Sequence, residues 1–170
     1  LEAAAKANPK LPFVHFNLGL AYLHKQKYEQ AKTEFLADVA VDSDTAATYD
    51  QLGDVYVLLQ EDVLAEKSYL AALKLDKGMQ NSRLGLAKIY DREHRYRDAL
   101  SQLDAAATLD PQNYSVRYLR GQILVRSGQR VQGQAELAAA TKIMNSQRAK
   151  RQHELEGGAL PHPELTATPE

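Results

Sequence analysis

A small residue recurs every 34 positions in this 170-residue chain, at Gly19, Gly53, Ala87 and Gly121. Each lies at the same place in a frame of apolar residues that follow one another at three- and four-residue steps, which is the spacing of one face of an α-helix. A fixed period of this length indicates an array of similar two-helix units rather than one enzyme-like core. The sequence therefore predicts an all-α fold in which each unit packs on its neighbours.

Each unit carries the same two-part motif. In the first three units, the first part is a leucine followed by the small residue and, three positions later, a tyrosine; unit four has Arg120 and Leu124 in the leucine and tyrosine places. In the second part, an alanine or glycine stands four positions before a large residue. The large residues that end the two parts are Tyr22 and Phe35, Tyr56 and Tyr69, Tyr90 and Leu103, and Leu124 and Leu137.

Four such units in unbroken register, across about residues 1–147, closely resemble the tetratricopeptide repeat. The pattern of that family is W-x2-L-G-x2-Y, then A-x3-F and P, at a period of 34 residues. The resemblance implies an α-solenoid of antiparallel helix pairs coiled into a right-handed superhelix. It also implies that the first helix of each unit lines the concave face.

The 34-residue lattice predicts where each unit begins and ends. Residues 1–11 match the second helix of a preceding, truncated repeat, with a native N-terminal cap as the alternative. The remaining predicted segments are four full repeats at 12–45, 46–79, 80–113 and 114–147, a C-terminal capping helix at 148–157 and a flexible, proline-containing tail at 158–170.

The capping helix is predicted from the polar character of residues 146–156. A repeat array needs a last helix with a solvated outer face to cover its final apolar surface. Ala149 and Leu155 are the apolar candidates for the inner side of this helix, and Gly157 and Gly158 are expected to end it.

One position departs from the lattice in a way that predicts a specific contact. Asp38 stands where the later units have Ala72, Ala106 and Ala140, on the face that meets the following unit. An unpaired buried carboxylate is costly. We therefore expect Asp38 to be partly exposed or to bond a group on the helix of residues 46–59.

Composition and motifs exclude several classes of function. The net charge of −1 supplies no basic field for nucleic acid, and no apolar run approaches the ~18 residues of a membrane span. Cysteine is absent, which rules out disulfides and thiolate metal sites without fixing the compartment. His153 and Glu154 begin an H-E-x-x-H motif, but Gly157 occupies the place of the second histidine. The sequence predicts no enzyme activity, no metal site and no cofactor.

The residues expected to line the groove are offset from the packing frame on the first helix of each unit. Along the array they change from apolar to acidic to basic. We therefore expect an extended or helical ligand with an apolar anchor and an acidic group; the alternatives are that the aromatic residues pack on the upstream unit and that the basic ones form a solvated face. The candidates are Phe13, Phe16, Leu20, Leu23, Asp50, Asp54, Lys88, Arg92, Tyr118, Gln122 and Arg126.

These observations favour a noncatalytic scaffold or adaptor that binds a protein or peptide segment in its concave groove. One alternative is a self-association module that forms homo-oligomers, in which the tail around Leu160 and Leu165 enters the groove of a neighbouring copy. Another is a regulatory segment of a larger, multidomain protein.

Overall fold

A computed structural model describes residues 7–8, 13–42 and 45–157 of the chain. In these ranges the backbone forms eight α-helices and no strand, so the predicted all-α solenoid is confirmed. Consecutive helices form pairs, and each pair packs on the next. The helices are α1 (Val14–His24), α2 (Tyr28–Val41), α3 (Ala46–Leu58), α4 (Asp62–Leu75), α5 (Gln80–Arg92), α6 (Tyr96–Leu109), α7 (Tyr114–Arg126) and α8 (Arg130–Gly157).

The turn inside each pair has the same backbone geometry in all four units. Its left-handed residue is Gln26, Gln60, His94 or Gly128, with φ of 57°, 62°, 59° and 90° respectively. In unit one the next N–H, that of Lys27, donates to the carbonyl of the frame residue Tyr22 over 2.9 Å, and the three later turns repeat this bond. This is the Schellman ending of a helix, which normally favours glycine at the left-handed position.

A glycine on the first helix of a pair allows the two helices to come into contact, because it has no side chain. A Cβ atom built on Gly19 would lie 2.6 Å from the ring of Phe35, and one built on Gly121 would lie 2.8 Å from Cγ of Leu137. Unit three carries Ala87 instead, and the residue equivalent to Phe35 there is the aliphatic Leu103; both are fully buried. Small and large residues thus alternate across the contact, as close packing requires.

The contact predicted for Asp38 is confirmed. This residue is only 8% exposed, and its Oδ2 accepts a hydrogen bond of 2.6 Å from the hydroxyl of Thr48 on α3. Its Oδ1 accepts from the backbone N–H of Phe16 over 3.2 Å. That N–H belongs to the first turn of α1, whose N-cap residue Phe13 makes no side-chain cap. The carboxylate therefore satisfies a helix terminus and links the first two units.

The last helix differs from the prediction for residues 148–157. These residues are helical, but they continue α8 without a break to give one helix of 28 residues. The physical reason is that residues 134–156 contain no proline or glycine and many strong helix formers. Ala149 and Leu155 are exposed rather than on an inner face. Most of the predicted helix at 1–11 and the whole of the tail at 158–170 lie outside the described residues.

The close contact in unit one generates the first prediction. Gly19→Ala should lower the free energy of unfolding by about 1–3 kcal/mol, because the new methyl group overlaps the ring of Phe35. Adding Phe35→Leu reproduces the combination found in unit three, so the double variant should lose less than the sum of the two single losses. Urea unfolding of the four proteins measures this coupling; strictly additive losses would contradict the packing argument.

The left-handed residue that recurs in the turn of each pair generates the second prediction. Gln60→Gly should stabilise the chain by up to about 1 kcal/mol, because glycine adopts this conformation without the steric cost that a Cβ atom brings. Gly128→Gln is the matched reverse change, at a glycine with open space around it. It should destabilise by about 1–2 kcal/mol. Thermal unfolding tests both, and shifts of the same sign would show that the backbone conformation is not the cause.

Candidate functional site

A cavity of about 410 Å³ opens among the first helices of units one, two and three. One part of its wall is formed by mainly apolar side chains, and a second part by polar and charged side chains. An aromatic ring next to a glycine forms the rest of the wall. We call this cavity the cup. Its lining residues are Leu23, Tyr28, Val57 and Leu58, then Asp54, Asn81, Lys88 and Arg92, and finally Tyr69 and Gly85.

The aromatic ring of the cup is held between two glycines. Tyr69 of α4 is 2% exposed, and its ring lies between Gly53 of α3 and Gly85 of α5. A Cβ atom on Gly53 would come within 2.8 Å of Cζ of this ring, and one on Gly85 within 2.8 Å of its hydroxyl oxygen. The hydroxyl donates to Oδ1 of Asp54 over 2.7 Å. Because neither glycine has a side chain, the ring of Tyr69 fits between them, and its hydroxyl fixes the position of the Asp54 carboxylate.

Burial raises the pKa of Asp54 above its usual value, and the nearby charge of Asp50 acts in the same direction. Hydrogen bonds from Tyr69 and Asn81 and the positive charge of Lys88 oppose that shift. Burial also raises the pKa of Tyr69, and the adjacent Asp54 adds to the effect. Tyr69 therefore remains a neutral donor, and Asp54 is an acceptor whose charged form is penalised by its surroundings.

Asp50, a predicted groove residue, is used inside the fold. It is 4% exposed. Its Oδ1 accepts from the hydroxyl of Ser82 over 2.5 Å, and its Oδ2 from the side-chain amide of Asn81 over 2.9 Å. Both partners lie on α5, so Asp50 joins units two and three rather than facing a ligand. Ser82 stands one period after Thr48, the partner of Asp38 at the preceding junction.

Two of the three predicted groove cations are also engaged. The guanidinium group of Arg92 bonds both carboxylate oxygens of Asp62, over 2.6 and 3.2 Å. Arg126 bonds Oδ2 of the buried Asp91, whose Oδ1 has no hydrogen-bond partner among the described residues. Lys88 is exposed, and no described residue forms an ion pair with it. The sequence predicts that Lys88, Arg92 and Arg126 bind an acidic group of a ligand together. Of these three cations, only Lys88 has no ion pair with a described residue.

The apolar candidates of unit one have three different surroundings. Phe13 is 64% exposed and precedes α1 with a left-handed backbone, at φ 62°. Phe16 and Leu20 are half-buried against the core, where the ring of Phe16 lies 5.8 Å from that of Phe35. Leu23 reaches the cup. The alternative that Phe13 and Phe16 pack on the upstream unit concerns residues outside the described ranges.

The candidates of unit four lie apart from the cup. Tyr118 is 41% exposed and stacks on Tyr114, with 5.5 Å between the ring centroids. Gln122 is half-buried on the same helix. Of the predicted groove residues, the structure brings four together at the cup, namely Leu23, Asp54, Lys88 and Arg92.

Six of the ten lining residues are not among the predicted candidates, namely Tyr28, Val57, Leu58, Tyr69, Asn81 and Gly85. Val57, Leu58 and Asn81 lie on the helix face from which the candidates were drawn, whereas the other three do not. Tyr28 begins α2, and Tyr69 belongs to α4, whereas the first helix of each unit is the one expected to line the groove. Gly85 carried a signal that could have been used. It is a second small residue two positions before Ala87, where the equivalent positions hold Asn17, Gln51 and Leu119.

The chemistry of the cup suits noncovalent binding. It combines an apolar wall, a carboxylate acceptor and an unpaired ammonium group. No group of three or more metal-binding side chains occurs in the part of the chain that the structure describes. Among the same residues, no helix has the length and apolar character needed to cross a bilayer.

Comparison with known proteins agrees with the repeat. Two family models, each described as tetratricopeptide repeat, match residues 14–39 and 92–152. No curated protein matches the sequence significantly. Among solved structures, the chain is similar to a crystal structure of MamA, with a TM-score of 0.82 and 18% identity over 87% of this chain and 86% of that one.

Two further structures share the fold. One is YrrB, described as a TPR protein with an unusual peptide-binding site, with a TM-score of 0.73 and 23% identity over 88% of this chain and 79% of that one. The other is pilF of Pseudomonas aeruginosa, with a TM-score of 0.69 and 24% identity over 76% of this chain and 59% of that one.

The surroundings of Asp54 generate a prediction about pH. Because burial raises its pKa on folding, the folded chain holds this proton more tightly than the unfolded chain does. The stability that Asp54 contributes is therefore fully present below its unfolded pKa and is lost as the pH rises through its folded pKa. Asp54→Asn removes this titration, so the substitution should be more favourable at neutral pH than in acid. Urea unfolding at both pH values measures the difference.

The control for that measurement is Glu154→Gln, at an exposed carboxylate far along α8. It should change stability little at either pH. If Asp54→Asn were instead more favourable in acid than at neutral pH, the proposed effect of burial would be wrong.

Proposed function

This chain belongs to the tetratricopeptide repeat family, and we propose that it is a noncatalytic scaffold whose groove binds a segment of another protein. Solenoids of stacked helix pairs use extended concave surfaces for this purpose. The observation that carries the proposal is the cup. It is the place where predicted groove residues from three successive units meet around an open cavity.

The size and lining of the cup support a peptide as its occupant. Its volume, about 410 Å³, falls within the range of about 300–1,000 Å³ typical of ligand pockets. Leu23, Val57 and Leu58 provide an apolar wall for a large aliphatic or aromatic side chain. The similar protein YrrB, described as a TPR protein with an unusual peptide-binding site, favours the same class of ligand.

The polar groups define the rest of the occupant. Asp54 is an acceptor within the cup, so a backbone N–H of the bound segment can donate to it. Lys88 supplies an exposed ammonium group at the same cavity, where a carboxylate of the ligand can bind. Arg92 is already paired with Asp62 across the junction between units two and three, so its guanidinium group is less available to a ligand. The proposed ligand therefore carries an apolar anchor and, next to it, an acidic residue.

A display experiment tests this proposal. A library of random linear peptides is selected on the wild-type chain, and the best binder is synthesised and measured by calorimetry. We expect an apolar anchor beside an acidic residue, and an affinity near the micromolar range, about −8 kcal/mol. Leu58→Gln should weaken binding about tenfold, because the anchor loses part of its apolar contact. Lys88→Gln should weaken it for peptides that carry the acidic residue.

Matched controls separate the cup from the rest of the surface. Leu70 is 45% exposed, close to the 48% of Leu58, and does not line the cup. Lys67 is likewise exposed on α4. Leu70→Gln and Lys67→Gln should leave peptide binding unchanged. Equal losses in the cup variants and these controls, or no selected binder at all, would contradict the proposal.

A further inference from the structure

The C-terminal part of α8 extends beyond the helix that it packs on. The two helices are joined by a tight turn, so α7 begins, at Tyr114, beside the middle of α8. Gln112 and Ser146 still line a common cavity. From residue 147 onward the side chains are exposed as far as residue 155. The extension of residues 147–157 is roughly 16 Å long, at 1.5 Å per helical residue.

The packing face of α8 continues along this extension. Leu137 lies against Gly121 of α7, and Ala140 is fully buried. From these two residues, steps of three and four positions along α8 reach four more side chains on the same face. We call these four residues the seam: Met144, Arg148, Arg151 and Leu155.

The seam has apolar ends and a basic centre, and this order indicates the chemistry of a complementary partner. Its two ends are apolar and exposed, with Met144 at 42% and Leu155 at 75%. Its centre holds Arg148 and Arg151, and no described residue forms an ion pair with either. Arg120 within the array is used differently, because it pairs with both Asp104 and Glu136. The two central guanidinium groups of the seam therefore remain available.

We propose that the seam is a docking surface for an acidic amphipathic helix of a partner protein. Apolar side chains of that helix would cover Met144 and Leu155, and two carboxylates between them would meet Arg148 and Arg151. Arginine binds carboxylates through paired hydrogen bonds, which also fixes the register of the two helices. The surface continues the contact between α7 and α8, so the partner helix extends the stacking of the array.

A second copy of this chain is a poorer occupant. Antiparallel pairing of two such seams would place the central arginines of one copy opposite those of the other, and like charges at that distance repel. The seam also lies on a different helix from the cup, so this inference does not depend on the function proposed above.

The test uses two synthetic helical peptides as probes. One carries leucine, two glutamates and leucine at the spacing of the seam, and its twin carries lysine in place of each glutamate. Binding to the full chain is measured by fluorescence anisotropy. The glutamate peptide should bind, more weakly at high salt because exposed ion pairs are screened, and the lysine peptide should not.

Charge exchange identifies the surface. Arg148→Glu combined with Arg151→Glu should weaken binding of the glutamate peptide at least about tenfold and create binding of the lysine peptide. Lys142→Glu combined with Lys150→Glu makes the same change in net charge on other faces of α8 and should alter binding less than about threefold. Circular dichroism checks that both variants keep their helix content.

Three outcomes would overturn the proposal. One is equal weakening by the two charge-reversal pairs, which would indicate general electrostatic attraction. Another is no binding of the glutamate peptide to the wild-type chain. The third is binding to phosphatidylserine vesicles that Arg148→Glu with Arg151→Glu abolishes while neither peptide binds, which would make the seam a membrane surface. Leu58→Gln at the cup should leave binding of the glutamate peptide unchanged, so the two proposals fail separately.

Discussion

The close approach of the two helices in each unit is the contact on which the rest of this structure depends. A residue without a side chain, or with only a methyl group, faces a large residue on the second helix, as Gly19 faces Phe35. This contact sets the distance between the two helices of a unit. It also positions Tyr69, which lies between glycines of two successive units and completes the cup.

The side chains that join one unit to the next differ along the array. The first two each use a buried carboxylate that accepts from a hydroxyl, Asp38 from Thr48 and Asp50 from Ser82. At the third, the equivalent of these hydroxyl residues is the fully buried Val116. Buried carboxylates with complete hydrogen bonding demand a defined geometry, whereas apolar contacts tolerate small shifts. The two junctions with this carboxylate–hydroxyl contact are the ones that flank the cup, whereas the third uses the ion pair of Asp91 with Arg126.

Several charged residues of the array form ion pairs between units. In the sequence, Arg92 and Arg126 look as available to a ligand as Lys88 does. In the structure, Arg92 pairs with a carboxylate of α4, and Arg126 pairs with Asp91, which is buried. Reversing the charge of Arg126 would leave that carboxylate without its partner, so a loss of ligand binding in such a variant would not identify a binding residue. No described residue forms an ion pair with Lys88 at the cup or with the two arginines of the seam.

The sequence by itself determined the helical units, their period, the small-to-large contact inside each pair and the need of Asp38 for a partner on the next helix. All of these follow from local spacing or from the cost of burying a charge. Only the tertiary structure decided which charged residues are free, that Tyr28 reaches the cup, and that α8 continues to Gly157 with Leu155 exposed. Arg92 and Asp62 are thirty positions apart, and their pairing depends on how one unit rotates against the next. Helix spacing is a property of neighbours in the chain, whereas ion pairing and exposure are properties of neighbours in space.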